Sequence, residues 1–273
     1  MFQNTPHTGM PRLLLSEEKM SPANSGKSMS SAQGKQILAL IRDGDYAHAG
    51  EEDAIRITLE GLAPSTTRHI LDVGCGLGGT ASFMAREGYG VVTGADIDQA
   101  TIDYARERYR REDFYCCPAD NMVSHVPPGH DLVVMFNSFY AFPDKPAALR
   151  QAYLLSAAGA ELRIFDYCAK TASPQLSEFT EAYGRGRWNP VVLDQAGSML
   201  ESSGWRLESI KDLSKEYEGW YQELVKKIGE KREEIVRTSG QDWFDYALRR
   251  YEELLEKIQE GLIGGALISA TRR

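Results

Sequence analysis

Residues 68–98 read RHILDVGCGLGGTASFMAREGYGVVTGADID. A short apolar run of strand type, Ile70-Leu71-Asp72-Val73, opens into glycines at alternate positions, Gly74, Gly76 and Gly78, with Gly79 directly behind. An amphipathic run follows, with Ala81, Met84 and Ala85 on one face, and Gly88 and Gly90 stop it. A second apolar run, Val91 to Ala95, ends on Asp96. Strand, glycine turn, helix, strand and acid make half of a nucleotide-binding α/β sheet.

The glycines have a physical task. A chain that leaves a strand and enters a helix at once turns sharply, often through φ > 0, which glycine tolerates. Without side chains there, a ligand can lie against the backbone near a helix N-terminus, where free N–H groups favour an anion. The acid that ends the second strand is placed to accept both hydroxyls of a ribose. Two cofactors fit this pattern. Gly74, Gly76 and Gly79 satisfy GxGxxG with Asp96 at a matching distance, which is the dinucleotide signature of an NAD(P)-dependent oxidoreductase. Asp72, Gly74, Gly76 and Gly78 satisfy DxGxGxG. A carboxylate inside the first strand repels a pyrophosphate but suits a ligand with a free ammonium, such as the methionine end of S-adenosylmethionine.

Outside this stretch, the 273-residue chain is long enough for one large domain, or a domain with a cap. Its net charge of −8 argues against a general attraction to nucleic acid. Cys75, Cys116, Cys117 and Cys168 form no CxxC and have no histidine nearby in sequence. Buried, reduced thiols in a cytoplasmic protein without a metal site are therefore expected. No 18-residue apolar segment predicts a membrane span, and Leu13-Leu14-Leu15 is too short for a signal peptide.

Residues 1–30, rich in Ser, Pro, Gly, Asn and Met, read as a flexible arm. Residues 31–43 predict a helix with Ile37, Leu38 and Ile41 as its apolar stripe. A short loop carrying Tyr46 and His48 leads to a second helix, from Gly50 to about Leu62. This arrangement resembles that of SAM enzymes, in which two helices ahead of the first strand fold over the cofactor as a lid. Further strands are predicted at 112–118, 130–136, 160–166, 205–211 and 265–271. Between them come helices at about 99–109, 145–157 (stopping at Gly159), 173–183 and 194–203 (capped by Asp194). The charged stretch 214–261 carries two helical patterns, separated near Ser239-Gly240, and reads as a helical cap inserted before the last strand. The fold expected is a doubly wound, seven-stranded, mostly parallel α/β sheet.

In such a sheet, ligands bind at the C-terminal ends of the strands. That rule collects the cofactor candidates Asp72, Gly74, Cys75, Gly76, Gly78, Asp96, Ile97, Asp120, Asn121 and Asn137. Asp120, beside Asn121, is placed to accept from an adenine amino group, and Asn137 to close a methionine pocket. If a proton acceptor is needed for methyl transfer, Tyr46, His48, Tyr140 and Tyr167 are the candidates. Phe142, Tyr183 and Trp188 offer ring faces to an ammonium, and Arg187 a planar fork to an anion.

DVGCGLGG, the acid in GADID and the PAD turn together resemble the class I SAM-dependent methyltransferases over about residues 35–273. GDYAHAG, RIFDYCAK and a helical insertion before a strand ending SATRR look like the small-molecule N-methyltransferases of the phosphoethanolamine and sarcosine/dimethylglycine type. The resemblance implies a Rossmann-like domain over 31–273 that passes a methyl group to a small molecule and leaves S-adenosylhomocysteine. It further implies that Gly74, Gly76, Asp96 and Asp120 hold the cofactor, while Tyr46 and Tyr167 line the acceptor cavity. Phosphoethanolamine methyltransferases carry an Asp and a His four residues apart after the fourth strand, where this chain has Ser138 and Phe142. The acceptor atom therefore stays open among an amine nitrogen and the oxygen or carbon of a natural product, as does a non-catalytic, SAM-binding role.

Overall fold

The computed structural model describes residues 26–184 and 188–273; most of the predicted N-terminal arm, and Arg187, lie outside the described residues. The first half runs α1 (Ala32–Arg42), α2 (Glu51–Thr58), β1 (His69–Val73), α3 (Gly79–Arg86), β2 (Val91–Asp96), α4 (Gln99–Arg108), β3 (Asp113–Cys116) and β4 (His130–Phe136). The second half adds α5 (Lys145–Leu155), β5 (Ser156–Ala169), α6 (Pro174–Gly184), β6 (Val191–Val192), α7 (Leu193–Ser202) and β7 (Trp205–Asp212). The cap helices α8 (Ser214–Glu230), α9 (Arg232–Ser239) and α10 (Gln241–Gln259) then lead to β8 (Gly264–Arg272).

The strands form one sheet in the order β3-β2-β1-β4-β5-β8-β7, and the two-residue β6 pairs beside β5. β1 to β5 run parallel, while β8 enters antiparallel between β5 and β7, with Phe165 opposite Leu267. The order reverses direction at β1, so the ends of β1 and β4 border the crevice where such sheets take ligands. Alternation along the strands separates two cores. Ile70, Leu132, Val134 and Phe136 pack under α1, α2, α3 and the cap helices, whereas Leu71, Val133, Met135 and Ile164 pack under α5 and α7. Asp72 shares the Ile70 face, the one covered by the lid.

Local chemistry sets the helix starts. Ser31 Oγ accepts from Gly34 N–H, and the Asp98 carboxylate accepts from Ala100 and Thr101 N–H, so both act as N-caps. α8 buries Tyr217, Tyr221, Leu224 and Ile228, and α10 buries Phe244, Ala247, Tyr251, Leu254 and Ile258, each at helical spacing. β8 admits α8 closely. A Cβ at Gly265 would stand 2.0 Å from the Tyr217 ring, so only glycine lets that ring lie on the strand.

Several expectations need correction. The helix before β5 ends at Leu155, and Gly159, at φ 75°, sits inside β5 where its pairing with β4 is irregular. Asp194 lies in the first turn of α7 rather than capping it; Val192 holds the N-cap position. α2 stops at Thr58, and the cap has three helices because the chain breaks at Lys231 as well as at Gly240. The sheet gains β6 as an eighth, two-residue strand. Among the described residues, no helix is long and apolar enough to cross a membrane.

Candidate cofactor and acceptor site

The glycine turn is built from backbone. Gly74, Gly76 and Gly78 have φ of 81°, 56° and 88°. This positive-φ path lets Gly74 and Cys75 donate to Ala95 O, at 2.7 and 3.0 Å, while the chain swings from β1 into α3. The turn also takes the lid loop at close quarters, since a Cβ at Gly79 would stand 2.4 Å from Asp45 O. Asp45 fastens that loop to α4, accepting from Tyr109 OH at 2.6 Å and Tyr104 OH at 3.1 Å and pairing with Arg108 at 2.8 Å.

Two carboxylates face the crevice from neighbouring strands. Asp72 is buried and its Oδ2 has no hydrogen-bond partner. Burial first, and the nearby Asp96 charge second, push its pKa up to about 8. A buried acid in that state is an uncompensated demand for a cation. Asp96, also buried, accepts from Gly76 N–H at 2.9 Å, from Asp98 N–H at 3.0 Å and from the Lys35 ammonium at 2.9 and 3.0 Å. Beside it, Ile97 leaves an apolar side chain 72% exposed, a suitable face for a flat ring. Asp120 and Asn121 lie exposed in the 3₁₀ turn Ala119–Ser124 after β3, where Asn121 Oδ1 accepts from Ser124 Oγ. Cys75 is buried, and its thiol is raised well above the ordinary range by that burial.

Asn137 follows β4 at φ 43°. Its Oδ1 accepts from Ala49 N–H at 3.2 Å and Tyr217 OH at 3.3 Å, while its Nδ2 is buried and unpartnered. One side chain thus joins the lid loop, the sheet edge and the cap. A second unpaired polar atom, a donor, completes the demand begun by Asp72. A ligand with both an ammonium and a carboxylate answers both atoms, and the bare Gly76 backbone leaves it room to approach. The residues present therefore fit S-adenosylmethionine, with Asp72 and Asn137 toward the amino-acid head, Asp96 toward the ribose and Ile97, Asp120 and Asn121 toward the base.

On the acceptor side the candidates divide. His48 is buried between the lid loop and the sheet, its ring 5.0 Å from that of Phe136. Its Nδ1 lies 3.1 Å from Ala49 O and its Nε2 2.9 Å from Thr80 Oγ1. A carbonyl only accepts, so Nδ1 carries the proton and Nε2 accepts from the threonine. Burial pushes the imidazole pKa down to about 3, so the ring is neutral with both nitrogens engaged. Tyr46 is half-buried and donates to Glu52 Oε1 at 3.3 Å; burial pushes its phenol up to about 12.

Tyr140, Tyr167, Tyr183 and Trp188 are brought together. Trp188 stands 5.2 Å from Tyr167, 5.3 Å from Tyr183 and 5.9 Å from Tyr140, and Tyr140 and Tyr167 meet edge to face at 5.1 Å. Phe142 is not part of this group; it packs on Phe139 in the core under α5. The cap supplies rings that the sequence analysis did not count among the site candidates. Tyr217 stacks against Tyr221 and meets Tyr167 at 5.7 Å, and the Tyr221 and Tyr167 hydroxyls bond to each other. Burial holds the phenols of Tyr140, Tyr167, Tyr183, Tyr217 and Tyr221 above their ordinary value, so none is a tyrosinate at neutral pH. Asp166 points to the opposite face from Tyr167. It is buried near pKa 7 and accepts from the N–H groups of Tyr140 and Tyr167, which fixes the turn after β4 against β5.

Comparison with known proteins agrees with this geometry. A methyltransferase domain matches residues 70–159, from β1 to the start of β5. Phosphoethanolamine N-methyltransferase 1 of Arabidopsis thaliana is 24% identical over 69% of this chain, which spans only 39% of that enzyme's length. The 27-O-demethylrifamycin SV methyltransferase of Amycolatopsis mediterranei is 26% identical over 81% of this chain and 85% of its own. Among solved structures, phosphoethanolamine N-methyltransferase 2 of Haemonchus contortus, in complex with phosphomonomethylethanolamine and S-adenosylhomocysteine, superposes with a TM-score of 0.77 at 18% identity, covering 91% of this chain and 61% of that one. The sheet order and the glycine turn agree with the domain match: residues 70–159 match a methyltransferase domain, and the chain has the fold of the class I SAM-dependent methyltransferases.

Proposed function

We propose that this chain transfers a methyl group from S-adenosylmethionine to a small molecule, and that the acceptor atom is an amine nitrogen. The observation that carries the cofactor half is Asp72, a buried carboxylate with an unpartnered oxygen beside a bare glycine turn. A pyrophosphate placed there would gain nothing from Asp72, which ionises only at the cost of like charge beside it, whereas an ammonium is stabilised as Asp72 gives up its proton, which favours SAM over NAD(P). The domain reading that goes with this is a methyltransferase domain over 31–273 with 214–261 as its cap.

When bound, S-adenosylmethionine supplies a methyl on a sulfonium: the amine lone pair forms the new N–C bond, the C–S electron pair returns to sulfur, and S-adenosylhomocysteine is left. The protein's part is alignment of the nucleophile and exclusion of water. The rings of Tyr140, Tyr167, Tyr183 and Trp188 form one largely buried cluster, and an amine held against it would be desolvated, which favours the neutral, nucleophilic amine over its hydrated ammonium. Their faces then accommodate the cationic product by cation–π contact. A hydroxyl acceptor would instead need a proton taken from it. Neutral His48, with both nitrogens engaged, and the high-pKa tyrosines are poor takers.

Oxygen transfer is the second reading. The alignment with the Amycolatopsis 27-O-demethylrifamycin SV methyltransferase, named for an oxygen acceptor, covers most of both chains and supports it. Turnover of labelled S-adenosylmethionine against parallel panels of amines, phenols and carboxylates separates the two. Methylated amines are the expected products; methyl ethers or esters alone would replace the amine reading. Heat on titrating S-adenosylhomocysteine tests the cofactor half, and none from folded protein would reject it.

A further inference from the structure

The acid at the end of β2 already has all its acceptor positions filled. Four hydrogen bonds reach Asp96: two from the Lys35 ammonium, one from Gly76 N–H and one from Asp98 N–H. A carboxylate offers about four lone-pair directions. The two backbone donors belong to the turns that flank the crevice and are fixed with them. Lys35 belongs to α1, a separate helix laid across the crevice, and its side chain is buried with its partner. It also covers the turn: apart from chain neighbours, Lys35 Cδ is the only described heavy atom within 4 Å of where a Gly76 Cβ would stand. One more bond fastens the same helix to the same place, from Ala32 N–H to Asp98 Oδ2 at 3.1 Å.

A ribose held by Asp96 needs acceptor positions that Lys35 now uses, and the lysine is the only one of the donors that can leave without dismantling the turn. We propose that Lys35 is a built-in competitor of the cofactor: its ion pair with Asp96 pins α1 over the crevice, and entry of the adenosyl group requires that pair to open and α1 to shift. This rests on the cofactor reading above. It makes α1 a gate whose resting position is set by a charge pair rather than by apolar packing alone. The same competition, acting after transfer, favours departure of the product as the lysine returns to the acid.

The test uses the full chain with S-adenosylhomocysteine as the probe and two variants, Lys35→Met and Lys35→Arg. Removing the ammonium weakens the resting position more than the bound one. Lys35→Met should therefore bind the probe about three- to tenfold more tightly than wild type, a shift of up to one decade in Kd. Without ligand, hydrogen exchange across residues 32–42 should speed up about tenfold in Lys35→Met, while exchange in the core strand 69–73 stays put and shows the fold intact. Lys35→Arg, which keeps a cation on Asp96, should stay near wild type in both readouts. Equal or weaker binding by Lys35→Met would make Lys35 a cofactor ligand or a bystander. Unchanged exchange at 32–42 would show that the pair pins nothing. Either result overturns the proposal while wild type still binds the probe. If neither wild type nor Lys35→Met binds it, the cofactor reading fails and takes the competition with it.

Discussion

The two halves of the crevice are built from different materials. Around β1 and β2 the ligand would meet backbone and carboxylate: a positive-φ turn, the unpartnered Asp72 and the saturated Asp96. Around the ends of β4 and β5 it would meet rings from the sheet edge, α6 and the cap, among which Tyr167 bonds to Tyr221, Tyr183 donates to Arg250 O and Tyr217 to Asn137. On the proposed reading the first half would select by charge and tolerate little change of side chain. The second would select by shape and dispersion, which many ring combinations can satisfy. A protein made this way keeps its cofactor chemistry fixed while its acceptor is free to vary. That matches relatives which share the domain yet, by their names, methylate a phosphoethanolamine nitrogen or a rifamycin oxygen.

The contrast breaks most visibly at Asp72. Asp72→Asn should weaken S-adenosylhomocysteine binding by about 2–5 kcal/mol, the loss expected when one member of a buried charge pair is removed. It should not destabilise the free protein, because it also removes a buried acid; calorimetry and denaturant melts on one preparation check both signs. Loss of stability without loss of affinity would make Asp72 a structural residue. The ring half is tested next at Gly265. Gly265→Ala drives a methyl into the Tyr217 ring and should cost about 1–3 kcal/mol of stability as overpacking does. Affinity for S-adenosylhomocysteine should fall by less than that. A variant as stable as wild type would mean that the cap rides loosely on β8.

A smaller effect sharpens the division. Trp188→Leu should leave S-adenosylhomocysteine binding unchanged and weaken tetramethylammonium, titrated as a minimal cation, by about 0.5–2 kcal/mol. Equal affinity for that ion in both proteins would remove the cation–π argument for an amine. The smallest change is expected at Tyr46→Phe, which deletes one hydroxyl bonded to Glu52 and should cost about 0.5–1.5 kcal/mol in turnover with little change in cofactor affinity. The reverse pattern would move the lid loop from the acceptor to the cofactor.

How much of this is legible in the chain follows the same division. The glycine turn, Asp72 and Asp96 form within 31 residues, 68–98, and their meaning is local: spacing alone places acids and bare backbone at strand ends. The doubly wound, mostly parallel sheet likewise follows from alternating strand and helix patterns, whereas the strand order and the antiparallel β8 are set by tertiary pairing. The ring cluster is not legible in the same way. Tyr217, Tyr221 and Tyr251 sit on ordinary apolar stripes, and whether a stripe faces its own helical neighbour or a distant strand is decided by tertiary packing. Phe142 shows the converse, an aromatic beside the strand end that the turn after β4 directs to the other core. Lys35 did leave a trace. It lies with Leu38 and Arg42 at i, i+3 and i+7 on the buried stripe of α1, and a cation on such a stripe needs a buried acid. Arg42 meets Glu51 at 2.6 Å, and Lys35 meets Asp96.

The central claim is that Asp72 waits for a positive charge, and its protonation state tests it. With a folded pKa of about 8, well above its unfolded value, the acid binds a proton that the unfolded chain releases, so its contribution to stability declines as pH rises from about 4 towards 8. Binding an ammonium reverses the preference and expels the proton. Titration calorimetry of S-adenosylhomocysteine at pH 7, in two buffers of different ionisation enthalpy, should therefore register release of about one proton. Affinity should climb between about pH 6 and 8 before levelling off, and Asp72→Asn should abolish both effects. A pH-independent affinity without proton release, shared by Asp72→Asn, would contradict the account.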